Sequence, residues 1–251
     1  MSGVALDREQ APWVLRFGRG DAINPLGIAL QRDLIRVAQD LALEEPLPPP
    51  VIVTAMGQSF SAGLDLKDPG VSGFGSDPLA QTLPRAALGA ELTRAWASVP
   101  APTVAAIEGH CLGGGVALAV ACDFRVAAED AVFATPEIAR GVAMDWGSLA
   151  RLIALVGLPV TRDLVLRQRR VSATEALEIG LIDALAPTQS SLDAALAFCE
   201  PMVALPSAPL AMAKRAIDRA AHHALEGPLA LDTDQFVASA REAFGPRAEE
   251  N

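Results

Sequence analysis

Two short stretches of this chain have residue types and spacing suited to chemistry. In the first, the apolar run Val51-Ile52-Val53-Thr54-Ala55 leads to Phe60-Ser61-Ala62-Gly63-Leu64-Asp65-Leu66. In the second, Thr103-Val104-Ala105-Ala106-Ile107 leads through Gly109-His110-Cys111-Leu112 to Gly113-Gly114-Gly115 and then to the apolar Val116–Val120. A glycine inside a helix costs about 1 kcal/mol relative to alanine, so three at a helix start point to a need for bare backbone. Each strand delivers the chain to a glycine whose neighbouring backbone N–H can face a cavity. Such N–H groups, backed by a helix dipole, stabilise negative charge. Two of them converging on one point make an oxyanion hole, worth about 3–4 kcal/mol per donor when charge builds on a carbonyl oxygen. Either stretch alone also reads as an ordinary tight turn. Neither is a P-loop, because no Gly-Lys-Ser/Thr follows, and the second lacks G-x-G-x-x-G spacing.

The elements that must hold these turns are legible from patterning. Residues 13–17, 51–55, 103–107 and 124–128 are short apolar runs that read as strands, and residues 26–43 and 84–98 carry helical spacing. Residues 57–78 form a long loop rich in Gly, Ser and Asp, and loops of this length are often functional. Strand and helix alternate with short connections, the pattern of βαβ units and a parallel sheet. After Pro136 the strand pattern fades into helices divided by Gly and Pro. The expectation is an α/β core over residues 1–187 and a helical region over 188–251.

Composition narrows the class. The 251 residues allow one large domain, and 51 % apolar with only 4 % aromatic residues fits an Ala/Leu/Val core of helices and parallel strands. A net charge of −10 argues against a nucleic-acid surface. The only basic cluster, Arg167, Arg169 and Arg170, reads as a solvated helix end. Cys111, Cys122 and Cys199 form no CxxC pair, which suggests reduced thiols and a cytoplasmic setting. The N-terminus lacks a long apolar segment, and no run reaches a membrane span, so no signal peptide and no membrane partner are expected. His110, His222 and His223 lack metal-ligand spacing, so no metal is expected.

Taken together and in order, residues 60–68, 106–141, 172–187 and 206–220 resemble the enoyl-CoA hydratase/isomerase (crotonase) superfamily, over roughly residues 13–240. The resemblance implies a spiral of ββα units with a helical C-terminal trimerisation region. It further implies an acyl-CoA thioester as ligand, no cofactor beyond the CoA the substrate carries, and a homotrimer or dimer of trimers. It places the two oxyanion donors on the N–H groups of Leu64 and Gly114, with glycine at 114 letting the thioester approach without a Cβ in the way. Substrate contacts fall on Ala62, Gly63, Asp65, Leu66, Gly113 and Trp146.

Hydratases of this family carry two glutamates. The position of the first is Ala117 here, whereas the second matches Glu137 in the Pro136-Glu137 pair. A single carboxylate suits proton transfer between two carbons better than holding a water for addition, which resembles the family's enoyl-CoA isomerases. Asp145, eight residues after Glu137, is the second catalytic candidate and resembles the acid of dienoyl-CoA isomerases, or the nucleophile of the family's chlorobenzoyl-CoA dehalogenases. Structural roles stand beside these. Glu137 fits a helix cap, Asp145 the N-cap of the helix that follows, Asp65 and Asp123 turns or caps, and Trp146 a pocket wall. Double-bond isomerisation of an enoyl- or dienoyl-CoA is the expected activity. Hydration in fatty-acid degradation and non-catalytic acyl-CoA binding are the alternatives.

Overall fold

The four apolar runs are strands, and all four lie side by side. The computed structural model describes residues 3–20, 23–222 and 232–245; His223 lies outside these, as does the side chain of His222. The chain opens on a strand without an apolar run, β1 (Val4–Asp7), paired antiparallel with β2 (Trp13–Phe17). Helix α1 (Ile28–Ala42) buries Ile28, Leu34, Ile35, Ala38 and Leu41, a stripe at helical spacing, and hands over to β3 (Val51–Ala55). Within the long loop lie a short helix, α2 (Pro69–Ser72), and a 3-10 turn, Gly73–Gly75. The helix expected over 84–98 is two helices, α3 (Leu79–Ala86) and α4 (Leu88–Ala97). Pro84 inside α3 lacks the N–H that would continue the ladder.

The site-bearing part is β4 (Thr103–Ile107), β5 (His110–Leu112), α5 (Gly114–Ala121), β6 (Phe124–Ala128), β7 (Val132–Ala134) and α6 (Ser148–Leu166). Gly157, at φ 78°, breaks α6 in the middle. Beyond it come β8 (Val171–Ser172), α7 (Ala173–Glu178), β9 (Ala184–Ala186), α8 (Ser191–Val203), α9 (Ser207–His222) and α10 (Asp232–Phe244). The two strands after Pro136 escape a sequence reading because they span only two and three residues.

One sheet has the order β1-β2-β3-β4-β6-β9, parallel except at β1, and a second has the order β5-β7-β8. The chain therefore passes from a strand of the large sheet to a strand of the small one, then to a helix, and repeats. This is the ββα spiral. Alternate residues of the large sheet face opposite cores, as a parallel sheet covered on both sides requires. Leu15, Phe17, Val53, Ala105 and Ile107 pack toward Leu34, Leu92 and Leu118 of α1, α4 and α5. Val14, Ile52, Val104, Ala106 and Val126 pack against Ala195 and Cys199 of α8.

Asp123 does more than shape a turn. Its Oδ2 accepts from the Thr103 N–H at 2.7 Å, the Thr103 hydroxyl at 3.0 Å and Lys214 Nζ at 2.6 Å, joining β4, the α5–β6 turn and α9. No single helix among the described residues is long and apolar enough to cross a membrane.

Candidate functional site

The two glycine turns meet. Ser61 lies beside β5, donating its N–H to the His110 carbonyl at 2.9 Å and accepting from the Leu112 N–H at 2.8 Å. Its hydroxyl accepts from the Gly63 N–H at 3.0 Å. Gly63 O and the Asp65 N–H then bond Leu26, at 2.8 and 3.2 Å, which leaves the intervening Leu64 N–H facing the other way. The backbone at Gly63 has φ +86°, and a Cβ there would lie 2.8 Å from Leu112 O and 3.0 Å from the Gly114 nitrogen. Only glycine combines that dihedral with that approach. Gly114 is the first residue of α5, a position whose N–H has no partner inside its own helix. Neither the Leu64 nor the Gly114 N–H donates to any described residue.

Both turns line a cavity of about 190 Å³. Ala62, Gly63, Leu64 and Leu66 form one wall, Gly113, Gly114 and Ala117 the floor, and Glu137, Asp145 and Trp146 the facing side. Of the residues expected from sequence, Asp65 alone lies outside the lining. Its carboxylate accepts from the Lys67 N–H at 3.0 Å and pairs with Arg19 at 3.3 Å, which is the work of a turn residue. Arg140, Val142, Ala143 and Phe236 also line the cavity and were not legible as site residues. Phe236 arrives from α10, about a hundred residues after Glu137, so no local pattern marks it. Arg140 had a signal, since it lies three residues after Glu137 on one turn.

Glu137 does not cap anything with its side chain. A Cβ on Gly113 would meet its Oε1 at 3.0 Å, so the carboxylate lies directly over the start of α5. Its Oε2 is buried without a hydrogen-bond partner. Burial raises the carboxyl from 4.5 to about 7, opposed only by a bond from its own backbone. A carboxyl near 7 is suited to both accepting and returning a proton at neutral pH.

Asp145 is not the N-cap of α6 either. That place belongs to Gly147, at φ 62°, and only the Asp145 carbonyl helps, accepting from the Ser148 hydroxyl at 2.6 Å. The Asp145 side chain is buried in the cavity wall.

Trp146 has φ +64°, a left-handed conformation that costs a bulky residue on the order of 1–3 kcal/mol. Thr93 fixes it by donating its hydroxyl to the Trp146 carbonyl at 2.6 Å. The indole lies between α4 and α5. A Cβ on Gly89 would fall 1.8 Å from its Nε1, and one on Gly114 would fall 2.5 Å from its Cζ3. The missing side chain at 114 thus makes room for the indole of Trp146. The bare backbone at 114 therefore has a packing reason of its own beside the one expected from sequence, and its N–H stays on the cavity floor.

The sequence profile described as "Enoyl-CoA hydratase/isomerase" matches residues 7–244. The chain belongs to the enoyl-CoA hydratase/isomerase family. Within this family it is 30 % identical over 236 residues to the "Probable enoyl-CoA hydratase echA8" of Mycobacterium tuberculosis, covering 93 % of this chain and 88 % of the relative. It is 34 % identical over 229 residues to the "Enoyl-CoA isomerase/hydratase fer4" of Mycosarcoma maydis, covering 87 % and 81 %. Among solved structures, an enoyl-CoA hydratase/isomerase from Mycobacterium paratuberculosis superposes with a TM-score of 0.89 at 24 % identity, covering 97 % of this chain and 96 % of that one, which bears on the fold alone. As a crotonase-family chain it belongs among enzymes that act on acyl-CoA thioesters.

Proposed function

We propose that this crotonase-family enzyme moves a double bond along an enoyl- or dienoyl-CoA. The observation that carries this reading is a single cavity with two unpartnered backbone N–H groups, one buried unpaired carboxylate oxygen on Glu137, and a methyl group at Ala117. In the proposed cycle the thioester carbonyl accepts from the Leu64 and Gly114 N–H groups. The Glu137 carboxylate takes a proton from Cα of a 3-enoyl thioester, and the electron pair passes into a dienolate whose oxygen charge the two donors stabilise. The Glu137 carboxyl then returns that proton to Cγ, which leaves the double bond between Cα and Cβ. No atom is added, and CoA, part of the substrate, is the only coenzyme the cycle needs. Asp145 assists where the conjugated chain is longer, taking or giving the proton at its far end.

Hydration is the second reading. It is favoured by the names of relatives such as EchA8 and by Asp145, which supplies the cavity with a second carboxylate to hold water. We also propose a trimer, supported by apolar side chains exposed on α9, Met212 at 66 % and Ile217 at 68 %; light scattering tests it. The activity test is a panel of 2-enoyl-, 3-enoyl- and 3,5-dienoyl-CoA thioesters in deuterated water. Isomerisation of the 3-enoyl or 3,5-dienoyl thioester, with or without deuterium entering Cα or Cγ, supports the first reading, and fast hydration of the 2-enoyl thioester supports the second. Tight binding with neither turnover nor exchange would identify a non-catalytic acyl-CoA binder.

A further inference from the structure

Among the described residues that line the cavity, Arg140 is the only cation. It closes the 3-10 turn Ile138–Arg140, which follows Glu137 directly. In a 3-10 helix residues three apart eclipse one another, with a rise of about 2.0 Å per residue. Glu137 and Arg140 therefore stand in line on one wall, about 6 Å apart along the turn.

The Arg140 guanidinium has no hydrogen bond or ion pair with any described residue, whereas Arg85, Arg125, Arg167 and Arg169 each hold a carboxylate. It does not serve Glu137. No ion pair joins its guanidinium to the Glu137 carboxylate. The side chain is exposed, and the same cavity is lined by the apolar Leu66, Val142 and Phe236.

Position along the wall decides what such a cation can meet. With the carbonyl at the Leu64 and Gly114 donors, Glu137 stands over the carbons next to it. If the acyl chain runs along this wall, a cation one turn beyond Glu137 is within reach of a group at the far end of a short chain.

We propose that Arg140 is a specificity-determining residue, selecting short acyl-CoA thioesters whose chain ends in a carboxylate. The guanidinium pairs with that carboxylate in the two-bond geometry that Arg favours. This rests on the acyl-CoA reading of the same cavity.

The test is titration calorimetry of the full chain with pentanoyl-CoA and glutaryl-CoA, saturated thioesters of equal length that undergo no turnover. The wild type binds glutaryl-CoA on the order of tenfold more tightly, as a hydrogen bond to a charged group implies. Arg140→Gln removes most of that preference, and Arg140→Lys keeps part of it. The matching N-acetylcysteamine thioesters, which lack the CoA phosphates, show the same Arg140-dependent preference. An equal affinity for the two CoA thioesters in wild type and Arg140→Gln overturns the proposal alone. So does an equal loss for both CoA thioesters in Arg140→Gln with no change for the truncated pair, which would assign the guanidinium to a CoA phosphate. Failure of the wild type to bind either CoA thioester overturns the acyl-CoA reading itself.

Discussion

Replacing Glu137 with glutamine should remove activity and raise stability at the same time, and the pH dependence of both effects follows from one buried carboxyl. In the unfolded chain this group titrates at its ordinary 4.5, whereas burial holds it at about 7 in the folded protein. Below pH 4.5 both states are protonated and burial carries no ionisation penalty. Between 4.5 and 7 the unfolded state loses its proton while the folded state keeps it, so stability falls as pH rises. Above 7 the loss is complete and constant. A rise from 4.5 to about 7 corresponds to about 3 kcal/mol at most. Because the Glu137 turn reaches the surface, solvent screening reduces the expected effect to about 1–2 kcal/mol. Glutamine fills nearly the same volume and never ionises. Urea denaturation at fixed protein concentration should therefore give matching midpoints near pH 4.5 and a variant more stable by about 1–2 kcal/mol at pH 8, with equal slopes. Wild-type kcat/KM on a 3-enoyl-CoA should climb about tenfold per pH unit and level off near pH 7, as expected of an ionised base. The variant should lose at least a thousandfold. A stability difference that does not change with pH, or a variant that retains activity, would refute the reasoning.

Other perturbations separate the remaining roles. Gly114→Ala places a Cβ 2.5 Å from Trp146 Cζ3 and should cost about 1–3 kcal/mol of stability by thermal or urea unfolding. Adding Trp146→Leu should recover part of that loss, a coupling read directly from the double-mutant cycle. Ala117→Glu adds a carboxylate to the cavity floor and should raise hydration of a 2-enoyl-CoA at least tenfold relative to isomerisation, measured by loss of enoyl absorbance. Asp145→Asn should lower turnover of a 3,5-dienoyl-CoA more than that of a 3-enoyl-CoA, at least tenfold in the ratio of kcat/KM. Gly63→Ala should cost about 1–3 kcal/mol, because φ +86° strains any Cβ and Leu112 O lies 2.8 Å from it.

The sequence by itself determined whatever is encoded within a few residues of chain. The apolar runs at 13–17, 51–55, 103–107 and 124–128 are strands because each is short, apolar and bounded by turn residues. The two glycine turns and the Pro136-Glu137 pair are likewise local patterns, and Ala117 is read as a missing acid simply by its place after Gly114. Tertiary structure decided everything that depends on which side chains fill the space around those turns. Sequence alone gives Gly114 a reason to be bare, and only the fold adds that the indole of Trp146, thirty-two positions later, packs where a Cβ would clash. Asp145 and Glu137 both fit helix caps by sequence. Their carboxylates belong to the cavity because Gly147 takes the one cap and no side chain takes the other. Asp65 lies between two cavity-lining residues yet turns away, since its carboxylate is committed to Lys67 and Arg19. Phe236 joins the lining only because α10 packs back across the core. A strand or turn is set by neighbours along the chain. A cavity is set by excluded volume and by which polar groups remain without partners, and those exist only once distant elements have packed.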